Sequence, residues 1–235
     1  MRRFVKLSTY VPACYWWATF SLRAFLTVVA RWKVVGRENV PPSGALIVVS
    51  NHLNNADPPI LAAAVARRRI RYMAKVELFK WPFGIFPRLY GAFPVRRFEA
   101  DVAAMLNAER ILKRGEVLGM FPEGTRSRTG SLGKPHPGTA LIALRTGATL
   151  LPCAIAGTEV LGRPWNALRR PRFTVVIGRP MTVERVRRPG EKEVNELTER
   201  LFAEICKLLP AQYLGAYTGS GDSSRTDDGT DPPSQ

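Results

Sequence analysis

The chain has 235 residues, of which 46% are hydrophobic, so it can bury an ample core within one domain of ordinary size. Its 35 Lys and Arg residues against 19 Asp and Glu give a formal net charge of +16, which favours nucleic acid, an anionic membrane surface or small anionic substrates as partners. The three cysteines (Cys14, Cys153 and Cys206) are scattered without a CxxC pair, as expected of reduced thiols. With two histidines, no HExxH and no Cys/His cluster, the sequence predicts no metal site.

The N-terminal segment is basic and then apolar. Three basic residues within the first six positions precede an apolar run over 11–30, which Arg23 interrupts. The pieces are too short to cross a bilayer core of about 30 Å without burying that charge. Three aromatic side chains that favour the headgroup level lie in this run: Tyr15, Trp16 and Trp17. Residues 1–33 are therefore predicted to form a membrane-interface helix, with a helix docked on the protein's own core as the alternative.

The region 34–212 alternates short apolar runs with segments of helical periodicity. Strands are predicted at 45–50, 70–75, 117–121, 149–155 and 173–177. Helices are predicted at 57–66, 99–113, 138–146 and 191–209. This alternation indicates an α/β domain with a mixed, mostly parallel central sheet flanked by helices. From Thr218 the chain is rich in Asp and has no large apolar residue, which predicts a disordered acidic tail, placed at 213–235.

The first motif follows the strand predicted at 45–50 and contains His52 and Asp57. Their separation of five positions would place them about 140° apart on a regular helix, so they cannot share a helical face. A tight loop between the strand and the next helix would bring the imidazole and the carboxylate together. The carboxylate would then fix the ring tautomer and leave one nitrogen free to accept a proton from a hydroxyl. A loop histidine followed by an aspartate that caps the helix is the alternative.

The second motif, FPEGTRS, follows the strand predicted at 117–121. Its guanidinium offers a bidentate fork for phosphate, and its glycine lets backbone N–H groups approach an anion closely. An anion site is therefore predicted at Glu123, Gly124, Thr125, Arg126 and Ser127, with Arg97 of the GAFPVRR segment as a further candidate. The alternative is a solvated turn with a charge pair between Glu123 and Arg126.

Together these motifs resemble the glycerolipid acyltransferase family, which includes bacterial 1-acyl-glycerol-3-phosphate acyltransferases. The NHxxxxD block of that family is matched by Asn51, His52 and Asp57. The FPEGTRS block is matched at every position from Phe121 to Ser127. A block of glycine, apolar residue and arginine is matched by Gly91, Val95 and Arg97, and an apolar strand with proline by Leu151, Pro152 and Ile155. The resemblance covers about Val34 to Pro180.

The resemblance implies that His52 acts as general base on a glycerol hydroxyl that attacks an acyl thioester, while Asp57 orients the ring. No acyl-enzyme is implied, and the sequence agrees because it has no GxSxG nucleophile motif. The implied acceptor is lysophosphatidic acid, whose glycerol and phosphate would be held by Glu123, Gly124, Arg126 and Arg97. The implied co-substrate is acyl-CoA or acyl carrier protein, with no separate cofactor, and the product is phosphatidic acid.

Two positions depart from the family pattern. Asn54 stands where the family often has Ser, and His136, with Lys134 nearby, stands where a Lys commonly precedes a glycine. Both leave the acceptor open, so glycerol-3-phosphate or another lysophospholipid is an alternative. The basic charge and the N-terminal helix predict a peripheral or monotopic enzyme on the cytoplasmic face of the cell membrane.

Two interpretations of a different class are a basic nucleic-acid-binding protein and a lipid-binding protein without catalysis. The arginines are spread along the chain and no recognised nucleic-acid motif is present. Both members of the His52/Asp57 pair are present, as catalysis requires. The sequence therefore favours a phospholipid-synthesising acyltransferase on an anionic membrane surface, with no nucleic-acid partner.

Overall fold

The computed structural model describes residues 11–80, 84–95, 101–127, 129–162 and 170–215. Within these ranges the helices are α1 (Val11–Val29), α2 (Asp57–Val65), α3 (Ile85–Leu89), α4 (Val102–Lys113), α5 (Gly138–Thr146) and α6 (Glu191–Leu208). The strands are β1 (Arg31–Val35), β2 (Leu46–Ser50), β3 (Ile70–Lys75), β4 (Phe93–Val95), β5 (Val117–Met120), β6 (Thr149–Ala156) and β7 (Arg172–Ile177). Helices and strands alternate over most of the chain, as the sequence predicts.

The described strands form one sheet in the order β1-β7-β6-β2-β5-β3-β4. Five of its neighbouring pairs are parallel, and β6 with β7 is antiparallel. The predicted mixed, mostly parallel sheet is thereby confirmed. Because β7 reverses direction, β1 and β7 begin at the same edge of the sheet at which β2, β5 and β6 end.

The central strand β2 explains the layering. Its sequence LIVVS is completely buried, since helices cover both faces of the sheet. Ile47 and Val49 pack into a cluster with α4, α5 and α6, whereas Leu46 and Val48 pack into a second cluster with α1 and α2. This alternation, with period two along the strand, produces a three-layer α/β/α domain.

The sequence predicts five of these strands and misses β1, β4 and the short helix α3. The two strands lie at the edges of the sheet, where packing is one-sided. Strand β1 reads RWKVV with exposed and half-buried residues in alternation, and β4 is only three residues long with a proline at its centre. Neither gives the continuous apolar run of a buried strand. The domain boundary predicted at residue 33 falls within β1.

Helix α1 forms over the predicted apolar run and docks on the domain by one face. The buried hydroxyl of Tyr15 accepts a hydrogen bond of 3.0 Å from the backbone N–H of Ile70. Large apolar side chains cover the opposite face, with exposed fractions of 75% at Trp17, 74% at Phe20 and 72% at Val28. The alternative of a helix docked on the core therefore applies to one face of α1. The described part of the chain leaves the opposite face uncovered.

None of the helices in the described ranges combines the length and apolar character needed to cross a bilayer. The acidic tail predicted for 213–235 is described only up to residue 215, where Tyr213 is buried in the core. Its remaining residues lie outside the described ranges.

Candidate active site

The carboxyl ends of three neighbouring strands, β6, β2 and β5, lie at one edge of the sheet and carry the sequence motifs. The segment after β2 holds His52, the segment after β5 holds FPEGTRS, and the segment after β6 holds Thr158. In α/β folds ligands commonly bind at this edge, because the loops there converge from adjacent strands.

His52 and Asp57 meet as the first motif predicts. The Nδ1 atom of His52 lies 2.9 Å from Oδ2 of Asp57, and the two side chains are almost completely buried. The same carboxylate oxygen accepts hydrogen bonds of 2.6 Å from the backbone N–H groups of Leu53 and Asn54. The other carboxylate oxygen, Oδ1, accepts a 2.7 Å hydrogen bond from the hydroxyl of Thr158. These donors offset the desolvation of the buried carboxylate.

The alternative in which Asp57 caps α2 is wrong, because its carboxylate accepts from the loop that precedes the helix. The N-cap position of α2 is Ala56, and Asp57 is already the first helical residue. An aspartate at the N-cap would accept from the N–H two or three positions on, but Pro59 has none and the N–H of Ile60 donates to the carbonyl of Ala56 at 3.0 Å. The two prolines fix the start of the helix while leaving the carboxylate free to turn back toward the preceding loop.

This geometry assigns the proton positions on the imidazole. An ionised carboxylate only accepts hydrogen bonds, so the proton lies on Nδ1 of His52 and Nε2 carries the lone pair. Proton uptake at Nε2 would create a positive charge directly beside the carboxylate of Asp57, which stabilises it. The pair can therefore act as a general base, with Asp57 as a positioning and charge-stabilising partner.

Aromatic packing fixes the plane of the imidazole. The ring of Phe121 stacks on His52 at a centroid distance of 4.3 Å, and Tyr72 lies behind it at 6.1 Å from Phe121. The hydroxyl of Tyr72 donates to the carbonyl of Pro58 at 2.7 Å. Gly119 makes room for this stack, because a Cβ there would lie only 2.3 Å from the Tyr72 ring. The aromatic residue that opens the FPEGTRS motif thus supports the histidine.

Glu123 faces inward and braces the loop that holds His52. Its Oε1 accepts from the backbone N–H of His52 at 2.9 Å, and its Oε2 accepts from the N–H of Gly133 at 2.8 Å. Burial raises the pKa of this carboxyl, the two N–H donors oppose that rise, and the charge of Asp57 adds to it. Because both oxygens are engaged, the alternative charge pair with Arg126 does not form in the described residues.

The rest of the FPEGTRS motif divides into an anchored and an exposed part. The N–H of Ser127 donates to the carbonyl of His52 at 2.8 Å, and its hydroxyl donates to the carbonyl of Ser131 at 2.7 Å. Thr125 and Arg126 are exposed beside this anchor. The loop therefore presents a hydroxyl and a guanidinium next to the buried histidine. Arg97, the further candidate, lies outside the described residues.

Gly124 and His136 are neighbours in the structure. Gly124 has φ +67°, in the left-handed region, and a Cβ there would lie 3.0 Å from Cδ2 of His136. Glycine is favoured at this position on both counts. The exposed imidazole of His136 therefore lies beside the exposed part of the motif, where the family pattern commonly has a Lys in sequence. Asn54, the other departure, caps its own turn by accepting from the N–H of Ala56 at 3.0 Å.

Two polar residues to which the sequence motifs assign no role hold the site together. Thr158 is fully buried and reaches Asp57 from the end of β6. The side chain of Asn51 accepts from the N–H of Ile155 and donates to its carbonyl, each at 2.8 Å, which ties the ends of β2 and β6 together. The available signal for Thr158 was its position, since a polar residue directly after a parallel strand lies at the edge where sites form. Over the described residues, no group of three or more His, Cys, Asp and Glu side chains could hold a metal ion.

The sequence is similar to those of proteins named for the chemistry that the site suggests. A family model described as Acyltransferase matches residues 31–156, which span β1 to β6. A 1-acyl-sn-glycerol-3-phosphate acyltransferase of Bacillus subtilis is 29% identical over 191 residues, covering 80% of this chain and 93% of that protein. One of the same name from Borreliella burgdorferi is 33% identical over 129 residues, covering 54% of this chain and 51% of that protein.

A solved structure has a similar fold. The crystal structure of the 1-acyl-sn-glycerophosphate (LPA) acyltransferase PlsC from Thermotoga maritima superposes with a TM-score of 0.63 at 29% sequence identity. The alignment covers 81% of this chain and 76% of the Thermotoga chain. Sequence and fold therefore point to the same group of proteins.

Proposed function

This chain belongs to the acyltransferase family, and from that premise we propose that it transfers a fatty acyl group from a thioester to the free hydroxyl of 1-acyl-glycerol-3-phosphate. The product of this O-acyltransferase reaction is phosphatidic acid. The observation that carries the proposal is the buried pair of His52 and Asp57, 2.9 Å apart, beside the exposed guanidinium of Arg126. The Bacillus and Thermotoga proteins are both named for this acceptor, which supports the choice.

In the proposed reaction Nε2 of His52 removes the proton from the acceptor hydroxyl as its oxygen attacks the thioester carbonyl. Asp57 stabilises the imidazolium that results. When the tetrahedral intermediate collapses, the carbon–sulfur bond breaks and the imidazolium returns its proton to the departing thiolate. The products are an ester and a free thiol, and His52 regains its starting form without a covalent acyl-enzyme.

The acceptor phosphate is proposed to bind to the exposed part of the FPEGTRS motif. Arg126 forms no ion pair with a carboxylate in the described ranges, so its guanidinium is available for a bidentate phosphate contact. Thr125 offers an exposed hydroxyl, and Gly124 has the left-handed backbone that the turn beside it requires. Glu123 and Ser127 act through the shape of the loop. Arg97 remains a candidate, and either acyl-CoA or acyl carrier protein would supply the thioester.

We expect lysophosphatidic acid to be used at least about 100-fold more efficiently than a monoacylglycerol, which lacks the phosphate. Arg126→Ala should erase most of that preference, because kcat/KM for lysophosphatidic acid falls about 10- to 100-fold through KM while turnover of monoacylglycerol hardly changes. Release of free thiol from acyl-CoA in mild detergent measures both. Glycerol-3-phosphate is tested in the same assay to show whether it is used as the acceptor in place of lysophosphatidic acid.

Arg110→Ala is the matched control, since it removes an exposed arginine from α4 and should leave both acceptors unaffected. A rise in KM for the acyl donor alone would show that Arg126 contacts the donor and not the acceptor phosphate. Efficient turnover of glycerol-3-phosphate with none of lysophosphatidic acid would replace the proposed acceptor.

We further propose that the uncovered face of α1 lies in the lipid interface on the cytoplasmic side of the membrane. Its exposed Trp and Phe side chains suit the headgroup region, and the acceptor of the proposed reaction is itself a membrane lipid. Because Tyr15 on the opposite face is part of the core, the helix would hold the domain against the membrane as one body.

Trp17→Glu with Phe20→Glu should lower recovery on sedimenting phospholipid vesicles about tenfold or more, without lowering the thermal unfolding temperature. Both side chains are mostly exposed, so the fold does not depend on them. Val102→Glu with Leu106→Glu is the control, because it makes the same charge change at exposed apolar positions of α4. Equal losses in the two double variants would mean that added negative charge, and not the α1 face, governs recovery.

A further inference from the structure

A second basic site lies apart from the FPEGTRS loop. An open pocket of about 340 Å³ is bounded by α1, by β1 and by Arg170, which lies two positions before the start of β7. We call it the arginine pocket, and its polar and aromatic lining consists of Arg23, Thr27, Arg31, Trp32, Arg37 and Arg170. Four arginines thus line a single cavity.

The charges of these four arginines are not balanced by ion pairs within the described ranges. No Asp or Glu in the described parts of the chain forms an ion pair with any of the four arginines. Arg37 donates to the carbonyl of Ala64 at 3.1 Å and lies over the ring of Trp32 at 5.8 Å. Burial first, and the charge of Arg23 second, lower the pKa of Arg37, but a guanidinium stays charged at neutral pH. The pocket is therefore left with unbalanced positive charge, which an anion would neutralise.

The backbone at one wall of the pocket is strained. Arg170 has φ +49°, in the left-handed region that non-glycine residues rarely adopt. Such a conformation persists when the surroundings impose it, and strained residues are common at ligand sites. Here the residue in the left-handed region is one of the four arginines that line the pocket.

The arginine pocket lies at the same edge of the sheet as the catalytic pair. Strands β1 and β7 start at that edge, with Arg31 opposite Arg172, and β2 ends there before His52. Three strand spacings separate β1 from β2, or about 14 Å. On α1, Arg23 follows the exposed Phe20 by three positions, so the two side chains are neighbours on the helix. An anion in the pocket would thus lie beside an apolar surface.

We propose that the arginine pocket binds the phosphate headgroup of an anionic membrane phospholipid, with the acyl chains running along the exposed face of α1. Guanidinium groups suit phosphate oxygens through bidentate hydrogen bonds. The phosphate bound here is separate from that of the acceptor at Arg126. This rests on the proposed function in one respect, that the enzyme works at a lipid surface. A headgroup in the pocket would turn the edge that carries His52 toward the membrane.

The test measures binding to vesicles of phosphatidylcholine alone and mixed with phosphatidylglycerol, an anionic lipid that is neither substrate nor product. Arg23→Gln with Arg31→Gln removes two charges and leaves Arg37 and Arg170 in place. We expect affinity for the mixed vesicles to fall about 10- to 30-fold in this double variant, at roughly a factor of five for each arginine near the surface. Affinity for phosphatidylcholine alone should stay within about twofold, because the apolar face of α1 is intact.

The matched control is Arg187→Gln with Arg188→Gln. These two arginines line a different pocket, next to the end of α5 and therefore at the opposite edge of the sheet. This control variant should retain most of the affinity for mixed vesicles. Equal losses in both double variants would overturn the proposal, because net charge alone would then explain binding.

A soluble arm distinguishes a lipid headgroup from free phosphate. Inorganic phosphate, compared at matched ionic strength, should raise the thermal unfolding temperature of the unmodified protein no more than that of the Arg23→Gln/Arg31→Gln variant. A larger rise in the unmodified protein would mean that the pocket binds free phosphate, which would overturn the lipid assignment. Thiol release with detergent-dispersed lysophosphatidic acid should be the same in both double variants. Absence of turnover in the unmodified protein would contradict the proposed function and leave the vesicle result intact.

Discussion

His52→Ala should lower kcat for acyl transfer about 10³-fold or more, with KM for the acceptor changed only slightly. The substitution removes Nε2, the proposed proton acceptor, whereas Arg126 and the rest of the phosphate-binding loop remain. General-base catalysis by a positioned side chain contributes about 10²- to 10⁴-fold, and the loss of the carboxylate's partner adds to the effect. Thiol release from acyl-CoA, followed with saturating lysophosphatidic acid, measures the change.

Two further measurements separate a lost base from a damaged fold. Exogenous imidazole should restore part of the turnover of His52→Ala, since the missing side chain leaves space between Phe121 and Asp57. Incubation of the unmodified protein with acyl-CoA alone should leave its mass unchanged, because no acyl-enzyme forms. An acyl adduct on His52, or full activity in His52→Ala, would contradict the mechanism.

The sequence predicted where the site lies better than it predicted the hydrogen bonds within the site. A buried strand, a histidine and an aspartate at the start of a helix place the pair at the sheet edge, and the structure has it there. The direction of the Asp57 carboxylate was not predicted, because it depends on the N–H groups of Leu53 and Asn54 and on the hydroxyl of Thr158.

Other features depended on contacts between distant parts of the chain. Thr158 meets Asp57 across 101 positions, and Glu123 meets the N–H of His52 across 71. Glu123 was predicted as a substrate ligand, yet its direction depends on how two loops pack together, which no local pattern encodes. The edge strands β1 and β4 were missed for a related reason, because a neighbouring strand stabilises each of them more than its own sequence does.

Asp57→Asn should retain the fold and lose most of the activity. An amide oxygen at the Oδ2 position can still accept from His52, Leu53 and Asn54, while the amide nitrogen donates to the hydroxyl of Thr158 after that hydroxyl rotates. The geometry survives, but the negative charge that stabilises the imidazolium is gone. We expect kcat to fall about 10²- to 10⁴-fold with a small change in unfolding temperature.

Thr158→Val tests the same carboxylate from the other side. The substitution is nearly isosteric and leaves Oδ1 of Asp57 buried without its donor, which should cost about 1–3 kcal/mol of stability. With the charge of Asp57 retained, kcat should fall only about tenfold, and KM for both substrates should stay constant. In the Asp57→Asn background the same substitution should have little further effect on kcat, since the charge it helps to place is already absent. If Thr158→Val lowered kcat by the same factor in the Asp57→Asn background as in the unmodified protein, Thr158 would support the fold and would not act through Asp57.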